Sequence, residues 1–347
     1  MGLKIGAGLG YGGDPREAAK RVKDLESAGV DVVWVAELYS FDAVSLMGYI
    51  AALTEKIEIG SSILPFYSRT PTLLAMSAAG VDALSGGRCI LGIGASGPQV
   101  IEGWHGLAYD APIARTREII DICRKVWRRE VVVHNGDHYH LPLPEGQGTG
   151  LGKPLKIINH PVRDDIPIYV AALGPKNLEM TAELADGWQP AFFWPDKSEA
   201  VFGDAIAAGL KKRDASRPPL EVVAGGRVMV GENLEHLRDQ ARPGMALYIG
   251  GMGARDKNFY NQLCRRYGFE AEAEEIQELY LSGKKKEAEA AVPQALVDGM
   301  SLIGPEGWVK ERLAAYKEAG VTTLNCGAGG PDAAKTLEQI RSWWDDA

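Results

Sequence analysis

Gly174, Pro175 and Lys176 stand between an apolar run, Ile166 to Ala171, and a helical pattern with Leu178, Thr181, Ala182 and Leu184 on one face. Such a loop presents unpaired backbone N–H groups and a lysine at a helix N-terminus, where the helix dipole favours an anion. The chemistry on offer is the cradling of a phosphate or carboxylate, although many strand–helix loops carry Gly-Pro and bind nothing. Gly8-Leu9-Gly10-Tyr11-Gly12-Gly13 satisfies G-x-G-x-x-G, and Glu37 ends the next strand, as in a Rossmann dinucleotide unit. Asp14-Pro15 starts the helix only after all these glycines, which argues against that unit. His134, His138 and His140 could suggest a metal. His134 lies across a turn from the other two, and no supporting acid is evident beyond Asp137, so a surface hairpin with no metal is expected.

These residues need elements to position them. The run Ile166–Ala171 is too short for a buried helix and rich in β-branched residues, which reads as a strand covered on both faces. Similar strands are expected at Leu3–Leu9, Val30–Ala36, Ile57–Leu64, Arg88–Ile93, Trp188–Phe193, Leu220–Val230 and Val321–Cys326, with helices between them. Leu84-Ser85-Gly86-Gly87 and Leu184-Ala185-Asp186-Gly187 repeat one helix–glycine–strand grammar. Eight strands alternating with helices from end to end predict an α/β fold, a (β/α)8 TIM barrel. A single domain over 1–347 is expected, with two insertions. One, about 131–161, carries a hairpin signalled by Asn135-Gly136 after the fourth outer helix. The other, about 234–292, is charged and helical and follows the seventh strand. In a barrel the strands' C-terminal ends share one face, which gathers Gly10, Glu37, Ser62, Gly94 to Gln99, Leu173 to Lys176 and Phe192.

Hydrophobic content of 46% and charged content of 24% suit a globular chain with a large core. A net charge of −8 without a basic stripe argues against nucleic acid as a partner. The lone run Lys284-Lys285-Lys286 reads as a solvated helix face. No apolar run approaches membrane length and no signal pattern opens the chain, so no membrane partner and a cytoplasmic location are expected. Cys89, Cys123, Cys264 and Cys326 are widely spaced, which suits a reducing compartment. Apolar outer faces, with Trp343 and Trp344 near the end, hint at a homodimer.

Several stretches taken together resemble the bacterial luciferase-like family, in particular its deazaflavin branch, which uses coenzyme F420. They are Gly60-Ser61-Ser62-Ile63-Leu64-Pro65 with Tyr67 to Pro71, Ser85 to Arg88 with Leu91 to Gly94, Ala171 to Lys176, and Ala185-Asp186-Gly187-Trp188. The resemblance implies a cofactor lying across the C-terminal face, backed by a non-prolyl cis peptide between Ser62 and Ile63. It implies a phosphate near Gly174, Pro175 and Lys176, beside Ala172 and Leu173, and backbone of Ala95, Ser96 and Gly97 bordering the ring and tail. Glu37 matches the family's acidic residue after the second strand. It would polarise the ring's polar edge, and is the one candidate catalytic group, or else it only pairs with a neighbouring base. Leu38 and Gly97 replace the histidine and glutamate of the family's sugar-phosphate dehydrogenases, so that acid–base machinery is missing.

The expected function is therefore hydride transfer between F420 and a small organic substrate. FMN with a monooxygenase reaction is the alternative, and a non-catalytic cofactor-binding barrel the second. Tyr39, Phe41, Trp104 and His105 are the candidate substrate contacts, with packing of the rim as the competing role for Tyr39 and Trp104.

Overall fold

The computed structural model describes residues 2–253, 255, 257–327 and 333–347. Residues 254 and 256, inside the expected second insertion, and residues 1 and 328–332 of the expected domain lie outside the described residues. Eight strands close into a parallel ring: β1 Lys4–Leu9, β2 Val32–Val35, β3 Glu58–Ser61, β4 Cys89–Gly94, β5 Ile168–Val170, β6 Gly187–Trp188, β7 Glu221–Gly225 and β8 Thr323–Asn325. Each pairs with its sequence neighbours, and β8 pairs back onto β1 with Lys4 opposite Thr323. This is the TIM barrel that the strand–helix rhythm predicts, and its closure rules out the open Rossmann sheet.

Strand residues facing outward meet a shell of helices: α1 Pro15–Ser27, α2 Ala43–Leu53, α3 Pro71–Ser85, α4 Pro112–Trp127, α5 Pro175–Leu184, α6 Asp204–Leu210, α7 Glu306–Glu318 and α8 Ala333–Asp346. The helix starts follow local chemistry. Asp14, Asp42 and Thr70 cap α1, α2 and α3 with side-chain oxygens that accept backbone N–H groups of Arg16, Ser45 and Leu73. Trp344 is buried and Trp343 packs against the same core, so both rings serve contacts within the chain.

Inside the ring the filling is coarse. Trp34 and Tyr169, with centroids 5.7 Å apart, occupy the lumen with Val32, Ile90 and Val223. A Cβ on Gly60 would sit 2.2 Å from the Trp34 ring, so glycine there is what admits the indole. Below them Lys4 Nζ reaches Glu58 at 2.9 Å and Glu221 at 3.7 Å, and the Tyr169 hydroxyl donates to Glu221 at 2.6 Å. The N-terminal end is thus sealed by paired charge.

Three expected strands differ from those observed; one of them, Ile57–Leu64, stops at Ser61 and resumes pairing only at Leu64–Pro65. The run Leu220–Val230 is not one strand. Gly225, at φ +128°, breaks it: β7 stays in the barrel, and Val228–Val230 leaves to pair in parallel with Leu302–Gly304. A period-two reading sees one apolar run because the two halves are alike in residue type, although only Val228 of the second half is buried; the glycine pair Gly225-Gly226 is the mark of the break. The sixth strand contracts to Gly187–Trp188, since Gln189 to Phe193 turn into the mouth. The hairpin at Asn135-Gly136 exists, with His134–Asn135 against His140–Leu141, but a four-residue loop joins its strands in place of a two-residue turn.

Candidate functional site

At the C-terminal mouth the chain turns sharply after β3. The Ser62–Ile63 peptide is cis, as the family resemblance implies, and Leu64–Pro65 then resumes pairing beside β4. The Ser62 N–H donates to the Val35 carbonyl at 2.8 Å. Just below, the Ser61 hydroxyl both donates to the Gly92 carbonyl and accepts from the Gly92 N–H, each at 2.8 Å, which fixes β3 against β4 where the bulge begins. Gln189, entering from the end of β6, donates through Nε2 to the Ser61 carbonyl at 3.4 Å. The residue is only 7% exposed, and its Oε1 is buried without a hydrogen-bond partner. Sequence reasoning did not single out Gln189, because a lone polar residue in an expected strand gives no sign of the groups it meets in the fold.

The loops after β4 and β5 lie on the same face. Ala95 and Ser96 follow β4, with Ser96 in the left-handed region at φ +58°, and Gly97 precedes the short helix Pro98–Gly103. After β5, the Ala172 carbonyl accepts from Trp188 Nε1 at 2.8 Å and the Leu173 carbonyl from Arg266 Nη1 at 2.9 Å. Gly174 then occupies the N-cap of α5 with no side chain to cap it, and Pro175 is the first helical residue. Lys176 is exposed, and among the described residues no carboxylate pairs with its ammonium. The first N–H groups of α5 therefore face outward beside an uncompensated lysine, the arrangement that attracts an oxyanion. Arg266 is a second cation here. Burial lowers its pKa, and it is held by the Leu173 and Val201 carbonyls. It comes from the helix Phe259–Arg266, some ninety positions away, and no local pattern could have joined it to this loop.

Glu37 takes the second of its two expected roles in geometry. Its oxygens accept from Arg69 Nη1 and Nη2 at 2.5 and 2.8 Å, and one also accepts the Ala43 N–H at 2.7 Å. Both partners are nearly enclosed, with side-chain exposures of 7% and 13%. The carboxylate ties the end of β2 to the start of α2 and to the turn after the cis bond.

Aromatic side chains rim the mouth. Tyr39 and Trp104, from the loops after β2 and β4, lie 6.3 Å apart and are mostly exposed. Among the described residues the exposed Phe41 meets no other ring, and the Nε2 of the partly buried His105 has no partner. Opposite them, Tyr248 and Tyr260 from the segment after β7 meet each other at 4.8 Å and flank Phe192 at 5.5 and 5.7 Å. Tyr11, in the glycine stretch after β1, is half-exposed; partial burial of its hydroxyl first, then the nearby Tyr248, pushes its phenol up to about 12. Tyr11 was visible only as part of a glycine motif, and Tyr248 and Tyr260 lie in a segment whose placement on the barrel the sequence does not reveal.

The histidines are elsewhere. His134 sits between Glu118 at 3.0 Å and Asp121 at 3.1 Å on α4, and His140 contacts Asn135 at 2.8 Å. Glu118 also accepts the N–H groups of Asp137, His138 and Tyr139, fastening the hairpin to the helix. Among the described residues no group of three His, Cys, Asp or Glu is arranged to hold a metal ion, and no helix is long and apolar enough to cross a membrane.

Fold and mouth together define a (β/α)8 barrel with an uncapped helix start and a cis-peptide bulge on one face. The model of the luciferase-like monooxygenase family matches residues 2–323. The chain belongs to that family. It is 41% identical over 344 residues to a Mycobacterium tuberculosis protein named as a coenzyme F420-dependent oxidoreductase, covering 98% of this chain and 99% of the relative. It is 29% identical over 327 residues to the 5,10-methylenetetrahydromethanopterin reductase of Archaeoglobus fulgidus, covering 92% of each. Among solved structures, the coenzyme F420-dependent tetrahydromethanopterin reductase of Methanopyrus kandleri superposes with a TM-score of 0.76 at 23% identity. That match covers 100% of this chain and 99% of the other.

Proposed function

We propose that this chain is a coenzyme F420-dependent oxidoreductase that moves a hydride between the deazaflavin and a small organic substrate. One observation on the chain itself carries the reading: the uncapped N-terminus of α5 and the unpaired Lys176 share the barrel mouth with the cis Ser62–Ile63 bulge. Relatives named for F420 support the choice of cofactor. Gly174, Pro175 and Lys176, with Ala172 and Leu173, would hold the phosphate. Ser62 and Ile63 would back the ring, and Ala95, Ser96 and Gly97 would border it. The orphaned Gln189 Oε1 beneath the bulge fits a site whose polar inventory is completed by a bound group.

When bound, the cofactor supplies the hydride chemistry, and the protein's part is orientation and exclusion of water. Glu37 acts as a positioning residue through Arg69. Tyr39, Phe41, Trp104 and His105 contact the substrate and shield it from solvent. The reading extends to one domain over 1–347 with insertions near 131–161 and 234–292, and to a cytoplasmic location. It also includes a homodimer, supported by the exposed Tyr49, Leu73, Met76 and Leu84 on α2 and α3 and checked by light scattering.

Titration of the purified chain with F420 and, separately, FMN, followed by tryptophan fluorescence, tests the cofactor. Micromolar or tighter binding of F420 with weaker FMN is expected. Preference for FMN would move the protein to the monooxygenase reading, and binding of neither would sink the cradle.

A further inference from the structure

A second feature of the mouth shares none of the residues proposed to hold the cofactor. Between the ends of β6 and β7 and the segment that follows β7 lies a cavity of about 500 Å³. That is the size of a small-molecule site, roughly 300–1,000 Å³. Its wall is mostly apolar: Phe192 and Phe193 after β6, Met245, Val297 and Met300 from the helical segment, and Ile303 from the outer strand pair. The break at Gly225-Gly226 creates it. Val228–Val230 leaves the barrel to pair with Leu302–Gly304, which holds the helical segment away from the strand ends.

Two arginines line this space, and they differ in kind. Arg238 is buried; it meets Asp298 at 3.1 Å, donates to the Ile303 carbonyl at 2.7 Å, and stacks 4.2 Å from the Trp308 ring. Its charge is matched, and its place is structural. Arg227 is exposed at the lip, and its Nη1 donates to the Gln240 side-chain oxygen at 2.9 Å. Gln240 is neutral, so it orients the guanidinium without cancelling the charge. Among the described residues no carboxylate pairs with Arg227. A guanidinium oriented by a neutral amide at the edge of an apolar cavity suits a ligand with an apolar body and an anionic end.

We propose that this cavity receives the substrate body, and that the substrate class is an amphipathic acid whose carboxylate, or a like anion, pairs with Arg227. The identification of the occupant as substrate rests on the oxidoreductase reading; the preference for an amphipathic acid does not.

Decanoate, decanol and decylammonium share one apolar length and differ in the head, so they are suitable probes. Calorimetric titration of the full chain, with and without F420, should give decanoate about tenfold tighter than decanol, with decylammonium weakest. Arg227→Gln should bring decanoate to the level of decanol. Met300→Trp, which fills the cavity, should weaken both at least tenfold with circular dichroism unchanged. Val297→Phe serves if that variant misfolds. Equal binding of the three probes by the native chain would overturn the anionic end, and undiminished decanoate binding by a folded cavity-filling variant would overturn the cavity. Each protein is also titrated with F420. Native protein that ignores F420 yet loses its decanoate preference on Arg227→Gln would defeat the cofactor reading and leave the acid site standing.

Discussion

The two ends of the barrel handle polar groups in opposite ways. At the N-terminal end the prominent charged groups are held by partners within the fold, some ionic and some neutral. Lys4 lies between Glu58 and Glu221, and Arg88 donates to the Thr54 hydroxyl and to the carbonyls of Ala51, Thr54 and Ile57. Arg124 and Arg217 close on Asp186, and Glu26 accepts the N–H groups of Glu55, Lys56 and Ile57. At the mouth, among the described residues, Lys176 has no carboxylate, Arg227 has only a neutral amide, α5 starts without a side-chain cap, and Gln189 Oε1 has no partner. An unmatched buried polar atom costs about 1–3 kcal/mol. Arg124 Nε and Arg217 Nε at the sealed end are also buried without a hydrogen bond, but both guanidiniums close on a carboxylate. Lys176 and Arg227 at the mouth have none among the described residues, as suits a barrel that binds at one end and holds the fold at the other.

The comparison breaks first where the lumen is emptied. Trp34→Ala removes the ring that fills the space opposite Gly60 and should destabilise by about 3–5 kcal/mol in denaturant unfolding. Affinity for F420 in the folded fraction should change little. A loss under 1 kcal/mol would mean that the lumen is not closely packed around the indole.

Glu37 is the mouth residue that behaves like the opposite end, and it offers the next test. Glu37→Ala strands the nearly buried Arg69 guanidinium and should cost about 3 kcal/mol. The double substitution Glu37→Leu with Arg69→Met should recover much of that stability, because the uncompensated charge goes with its partner. If stability were hardly altered by Glu37→Ala while turnover collapsed, the carboxylate would belong with the chemistry.

How legible each end was follows from the range of its contacts. The eight strands, the capped helix starts at Asp14, Asp42 and Thr70, and the Gly174-Pro175-Lys176 loop are local patterns, and the chain carries them in plain view. The split of β7 was missed because Val228–Val230 is as apolar as the barrel strand before it, and its partner Leu302–Gly304 lies more than seventy positions on. Arg266, Tyr248 and Gln189 were missed for a related reason. Each reaches the mouth by a tertiary contact with no sequence period to announce it. The role of Glu37 hung on a partner, Arg69, thirty-two positions away in the Tyr67–Pro71 stretch; only the fold brings the two side chains together.

Lys176→Glu sharpens the comparison at the binding end. The ammonium is exposed and unpaired, so reversing it should shift stability by no more than about 0.5 kcal/mol. The loss of a charge-assisted contact to a phosphate, about 1.5–3 kcal/mol, should weaken F420 binding by roughly 10- to 100-fold. Unchanged affinity would remove the helix-start cradle from the proposed site.

The smallest effect belongs to the sealed end and depends on pH. Burial alone would raise the Glu26 carboxyl, but three backbone donors from Ile57, Lys56 and Glu55 outweigh it and hold the group below its ordinary value of 4.5. A carboxyl depressed in the folded chain contributes stability above its unfolded value, and that contribution is lost as pH falls through the folded value. Glu26→Gln should therefore be less stable than the native chain at pH 7, and the gap should narrow from about pH 4.5 downward. Unfolding curves of the two proteins between pH 7 and pH 3 measure it. F420 affinity at pH 7 should be the same in both, since Glu26 stands at the end of the barrel away from the mouth. A gap that widened toward low pH would mean that the three N–H donors do not favour the ionised form, and that the sealed end is held by packing more than by its charges.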